Sequence, residues 1–125
     1  MSREIKFRAW DKEGHHSRDG KARMLTIDTH PSSLASIISD ICLGREIESV
    51  ELSQYTGLKD KNGVEIYEGD IIKWKAALGH EVISFVEYVT DVGCYLLMPQ
   101  IHDFYSVNRE VIGNIYENPE LLERK

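Results

Sequence analysis

The stretch QYTGLKDKNGVEIYEGDII, Gln54 to Ile72, decides how this chain is read. Glycines recur every sixth residue, at Gly57, Gly63 and Gly69, with acidic and basic residues crowded between them. Asn62-Gly63 is a strong hairpin signal, because both residue types accept positive φ. Glu68-Gly69-Asp70 supplies a second turn directly before a strand, and Thr56-Gly57 is read as closing the strand before the hairpin. A phosphate-cradling loop would need Gly-x4-Gly-Lys-Ser/Thr opening a helix, and here the glycines lead into strands. A calcium hand would need acids at alternate loop positions between two helices, and Asp60, Asn62 and Glu65 are flanked by β-type sequence. The stretch is structural.

Working outward, the flanks keep a period of two. EIKFRAWD (4–11) alternates, with Ile5, Phe7 and Ala9 to one side and Lys6, Arg8 and Trp10 to the other, as a half-buried strand does. MLTID (24–28) pairs with it across a polar connection. SVELSQY places Val50 and Leu52 on one face. IIKWK (71–75), EVISFVEYV (81–89), CYLLM (94–98) and EVIGNIY (110–116) follow at hairpin-like intervals. EVISFVEYV is apolar on both alternating sets, which marks a central strand.

One segment changes period. Leu34, Ile37, Ile38 and Ile41 fall at helical spacing, so a helix is expected near 32–43, with Ser32 or Ser33 as cap and Gly44 as a left-handed stop. NPELLERK predicts a short C-terminal helix with Asn118 as cap and Pro119 in first position. The expected fold is α+β and β-dominated: a twisted antiparallel sheet or partly open small β-barrel with these two helices. At 125 residues the chain is read as one domain, 1–125, able to bury about two-thirds of its unfolded surface.

Hydrophobic residues are 42% and charged residues 29%, too apolar for disorder. The net charge of −6 disfavours a protein whose main work is neutralising nucleic-acid phosphates, although a local basic face is compatible with it. Cys42 and Cys94 share no motif spacing and are read as buried or half-buried free thiols in a reducing compartment. MSREIKFRAW has no apolar signal core, and no run approaches the roughly 20 apolar residues a membrane span needs. These features read as a soluble, cytoplasmic protein without a membrane partner.

Three blocks, REIKFRAWDKE (3–13), the opening stretch (54–72) and EVIGNIYENPELLE (110–123), resemble the YopX family in order and spacing. That family comprises small proteins encoded by bacteriophages and prophages. The resemblance implies origin and fold class, with a tendency to self-associate, rather than a particular chemistry. The middle, from His15 to about Glu46, lies outside these blocks.

Candidate sites are few. His15, His16, His30, His80 and His102 lack the paired spacings of a zinc site, so no metal and no cofactor is expected. There is no Gly-x-Ser-x-Gly elbow, and Cys94 lies in an apolar strand rather than at a helix N-terminus. No catalytic set is assigned: the non-enzymatic reading is preferred, the enzyme question stays open, and a hydrolase or transferase is the least favoured alternative. The residues selected as an interface or ligand surface are Arg8, Trp10, Phe104, Tyr105 and Tyr116. Bases beside an aromatic on the first strand suit single-stranded nucleic acid, but a solvated face or a subunit interface, where Trp and Arg are enriched, is the preferred reading. With the net charge negative, a homo-oligomer is preferred as partner, and nucleic acid is the alternative.

Overall fold

A computed structural model of the chain describes residues 5–14, 19–45, 49–75, 79–98 and 109–123. The strands are β1 (Phe7–Asp11), β2 (Arg23–Leu25), β3 (Val50–Lys59), β4 (Glu65–Tyr67), β5 (Asp70–Lys75), β6 (Glu81–Val89), β7 (Cys94–Met98) and β8 (Glu110–Asn114). One α-helix, α1 (Pro31–Cys42), and a 3-10 helix at Pro119–Glu123 complete the described elements. The strands form two antiparallel four-stranded sheets, in the orders β2-β1-β3-β4 and β7-β6-β5-β8. The β-dominated α+β expectation holds. The chain groups into two compact units, one over Ile5–Gln54 and the other from Tyr55 onward.

In the first unit β1 lies between β2 and β3, with Ala9 opposite Leu25 on one side and Leu52 on the other. Ala9, Leu25, Leu34, Ile37 and Val50 form its core, with Ile38 and Leu52 packed against it. The expected alternation of β1 holds only in part. Ala9 is buried, but Ile5 precedes the strand and is 65% exposed, while Arg8 on the opposite set is only 9% exposed. The second strand ends at Leu25, three residues earlier than expected. Thr26 and Thr29 explain this: each backbone N–H donates to the other's hydroxyl, at 3.3 and 3.1 Å. Such local bonds offer the backbone an alternative to the ladder.

Helix α1 starts one residue before the expected range, with Pro31 in its first turn and His30 at the N-cap position. No side chain caps it there, so the expected serine cap is corrected. Proline at the start needs no N–H partner and brings a helical φ, which fixes the boundary without a cap. The C-terminus follows expectation. Gly44 has φ +79°. Its N–H donates to the Ile41 carbonyl at 3.0 Å, and the Arg45 N–H donates to the Asp40 carbonyl at 2.9 Å. This paired pattern is the Schellman motif. Burial fades along the helix: Leu34 and Ile37 are buried, while Ile41 is 40% exposed. Cys42 follows Ile41 and is exposed with it.

The second unit has its own core of Ile66, Ile72, Trp74, Val86 and Leu97, flanked by Val82, Tyr95 and Val111. β6 is internal to its sheet, as its two-sided apolar pattern predicts. Inside that core the Trp74 indole N–H donates to the Ser84 hydroxyl at 3.1 Å, so the one polar atom of the ring is satisfied. Leu97 faces inward, and Cys94, opening the same strand on the other pleat, is exposed. The expectation of buried thiols is therefore corrected for both cysteines.

Candidate functional site

The opening stretch folds as turns, with one change. Gly63 closes the β3–β4 hairpin at φ +81°, and Gly69 turns β4 into β5 at φ +88°. Gly57 does not end its strand: β3 continues to Lys59. Between the pairs Tyr55–Tyr67 and Lys59–Glu65 the register shifts, so Thr56, Gly57 and Leu58 oppose Ile66 alone. Gly57 at φ +89° carries this bulge, and the Thr56 hydroxyl donates to the Ile66 carbonyl at 2.7 Å across it.

Asp60 ties the hairpin to a distant strand. Its Oδ1 accepts the N–H groups of Asn62 at 2.8 Å and Val64 at 2.9 Å. Its Oδ2 accepts the N–H of Val111 on β8 at 3.0 Å. The residue is 8% exposed. Burial pushes its pKa up, but the Val111, Val64 and Asn62 amides and the charge of Lys61 outweigh that and hold it below the usual 3.8. Arg109 Nη2 donates to the Lys59 carbonyl at 3.1 Å, and the Lys61 N–H donates to the Arg109 carbonyl at the same distance. The hairpin tip is thus pinned to the start of β8.

This pinning assembles a cleft of about 300 Å³ lined by Lys61, Lys73, Trp74, Lys75, Glu81 and Glu110. Lys73 on β5 lies opposite Glu110 on β8, and Lys75 opposite Glu81 on β6. Lys61 comes from the hairpin, its Nζ 3.3 Å from Glu110 Oε2. Three ammonium groups and two carboxylates therefore share one concave surface. Sequence reading did not single out the five charged residues of this cleft. IIKWK does put Lys73 and Lys75 on one pleat and Trp74 on the other, but their cross-strand partners lie on separate segments.

The residues selected from sequence are not brought together as one site within the described residues. Arg8 is buried and Trp10 half-buried on β1, an internal strand. Tyr116 is half-buried just after β8, its ring over Gly69; a Cβ on that glycine would lie 3.0 Å from Tyr116 Cε2. Phe104 and Tyr105 lie outside the described residues, as do His15, His16 and His102. His30 Nδ1 is 2.9 Å from the Thr29 hydroxyl, and His80 is exposed. Among the described residues no three or more His, Cys, Asp or Glu side chains gather as metal ligands, and no helix is long and apolar enough to cross a membrane.

Residues 6–123 match the family model described as YopX protein. The structure is similar to the crystal structure of protein EF1440 from Enterococcus faecalis, with a TM-score of 0.60 and 26% sequence identity over 97% of this chain and 99% of that one. No curated protein matches the sequence.

Proposed function

The chain belongs to the YopX family, and from that premise we propose that it is a phage- or prophage-encoded accessory protein, acting in the host cytoplasm as a non-enzymatic homo-oligomer with a binding or structural role. One observation carries the oligomer. Among the described residues the two sheets have four terminal strands, β2, β4, β7 and β8. β2 carries Arg23, β4 carries Glu65 and β8 carries Glu110. β7, CYLLM, has neither a charged residue nor a proline.

Charges and prolines on terminal strands prevent uncontrolled pairing, so a terminal strand without them is suited to controlled pairing. A second copy supplies an antiparallel β7 about a two-fold axis, and the same surface then serves both subunits. Trp10 on the first unit and Tyr116 on the second remain proposed anchors, each of a contact of its own, and Arg8, 9% exposed, is too deep to form an outer surface beside Trp10.

The test is the mass in solution at micromolar concentration, by light scattering, for the wild type, Leu96→Lys and Trp10→Ala. Leu96 is half-buried and pairs with Glu87, so a lysine there gains an opposite charge across the strands and the sheet is kept. The expected result is a dimer or higher species that Leu96→Lys shifts to monomer with unchanged circular dichroism. A dissociating effect of Trp10→Ala alone would move the interface to the first unit. A monomeric wild type would overturn the proposal.

A further inference from the structure

We infer that the lysine cleft of the second unit is a binding site for a small phosphate-bearing anion, recognised through its phosphate group. The charges on this one surface do not balance. Glu110 faces two lysines: Lys61 reaches it at 3.3 Å, and Lys73 lies beside it across the β5–β8 pair. One carboxylate cannot neutralise two ammonium groups, so among the described residues positive charge is in excess where Lys61 and Lys73 approach Glu110. Lys75 lies on the same pleat as Lys73, two residues along, with Glu81 as its cross-strand neighbour. Among the described residues the lining is thus net positive, in a chain whose total is −6.

Concavity concentrates that charge, because low-dielectric walls focus the field into a cleft. Trp74 of β5 is among the lining residues, its side chain buried and its indole N–H engaged with Ser84. The hairpin that delivers Lys61 is fixed by Asp60 and Arg109, so one of the three donors arrives on a pinned loop. The volume, about 300 Å³, is at the lower bound of ligand pockets, roughly 300–1,000 Å³, and fits a phosphate with a small body attached. The chain's net charge of −6 disfavours a long polyanion, whose phosphates would extend beyond this small cleft. Lysine suits such a ligand as a mobile point charge that needs no planar match.

The experiment titrates the full chain with inorganic phosphate, adenosine monophosphate and a short single-stranded oligothymidylate, at low and moderate salt, following amide and lysine side-chain resonances. The expected result is saturable shifts at residues 61, 73, 75 and 110 with phosphate and with the nucleotide, weakening as salt rises. The double variant Lys61→Gln/Lys73→Gln should weaken nucleotide binding by about tenfold or more, because charge-assisted hydrogen bonds are lost. Glu110→Gln should act in the opposite direction and tighten it by roughly threefold, since both lysines are then released to the ligand. A merely structural role would make both variants weaker. Tighter, steeply salt-dependent binding of the oligothymidylate than of the nucleotide would overturn the small-anion assignment and make the cleft part of a nucleic-acid surface. No saturable shift with any probe, unchanged affinity in the lysine double variant, or weaker binding in Glu110→Gln would overturn the inference.

Discussion

Replacing Asp60 by alanine tests whether one side chain holds the hairpin onto β8. The substitution removes three hydrogen bonds to a carboxylate, from Asn62, Val64 and Val111. Asn62 and Val64 are exposed, so water can satisfy their amides, and each loss costs nearer 0.5–1.5 kcal/mol. The Val111 amide is half-buried and would be left with poor access to water, costing roughly 1.5–3 kcal/mol as a bond to a charged group. Together the cost is roughly 2.5–6 kcal/mol. For a chain of this size that is a fall in Tm on the order of 10 °C. Asp60→Asn keeps an acceptor for the hairpin amides but turns an amide N–H toward Val111, so about half the loss is expected.

The assay is urea unfolding followed by tryptophan fluorescence in a Trp10→Phe background, which leaves Trp74 of the second unit as the reporter. Acid provides an independent arm. Because the folded pKa of Asp60 is lowered, its stabilisation is complete above the unfolded value near 3.8 and is lost as pH falls through the folded value. The wild type should therefore lose more stability between pH 5 and pH 2 than Asp60→Asn does. A loss below about 0.5 kcal/mol in Asp60→Ala, the scale of an ordinary surface substitution, would refute the pinning role, as would identical acid profiles.

Two further substitutions separate backbone conformation from crowding. Gly63→Val forces a β-branched residue to φ +81° where nothing lies within 4 Å of the new Cβ, so the cost, about 1–2 kcal/mol by chemical denaturation, is conformational alone. Gly113→Ala is the reverse case: its Cβ would lie 2.6 Å from Asn118 Oδ1, which accepts the Asn114 N–H at 3.3 Å. It should cost about 1–3 kcal/mol by overpacking and raise amide exchange over residues 114–121. A Gly113→Ala protein as stable as the wild type would mean that Asn118 is not held against β8.

What could be read without coordinates was local. Asn62-Gly63 specified its hairpin because the need for positive φ belongs to the residues themselves. Leu34, Ile37 and Ile38 specified a helix because a 3.6-residue period is a property of neighbouring positions, and Gly44 ended it for the same reason. Strand limits were less legible where side chains compete for the backbone. EVIGNIY stops at Asn114, not Tyr116, because the Asn114 side chain accepts the N–H groups of Tyr116 and Glu117 at 3.1 and 2.8 Å. Asn118 likewise bonds back to Asn114 rather than capping the 3-10 helix with its side chain. Tertiary structure alone decided the rest. It joined Asp60 to Val111 across 51 positions, put Glu110 between Lys61 and Lys73, buried Arg8, exposed Cys94, and left β7 as an uncharged terminal strand among the described residues. Each of these depends on which strands pair and in what register, and pairing energies are set by distant segments that no local period records.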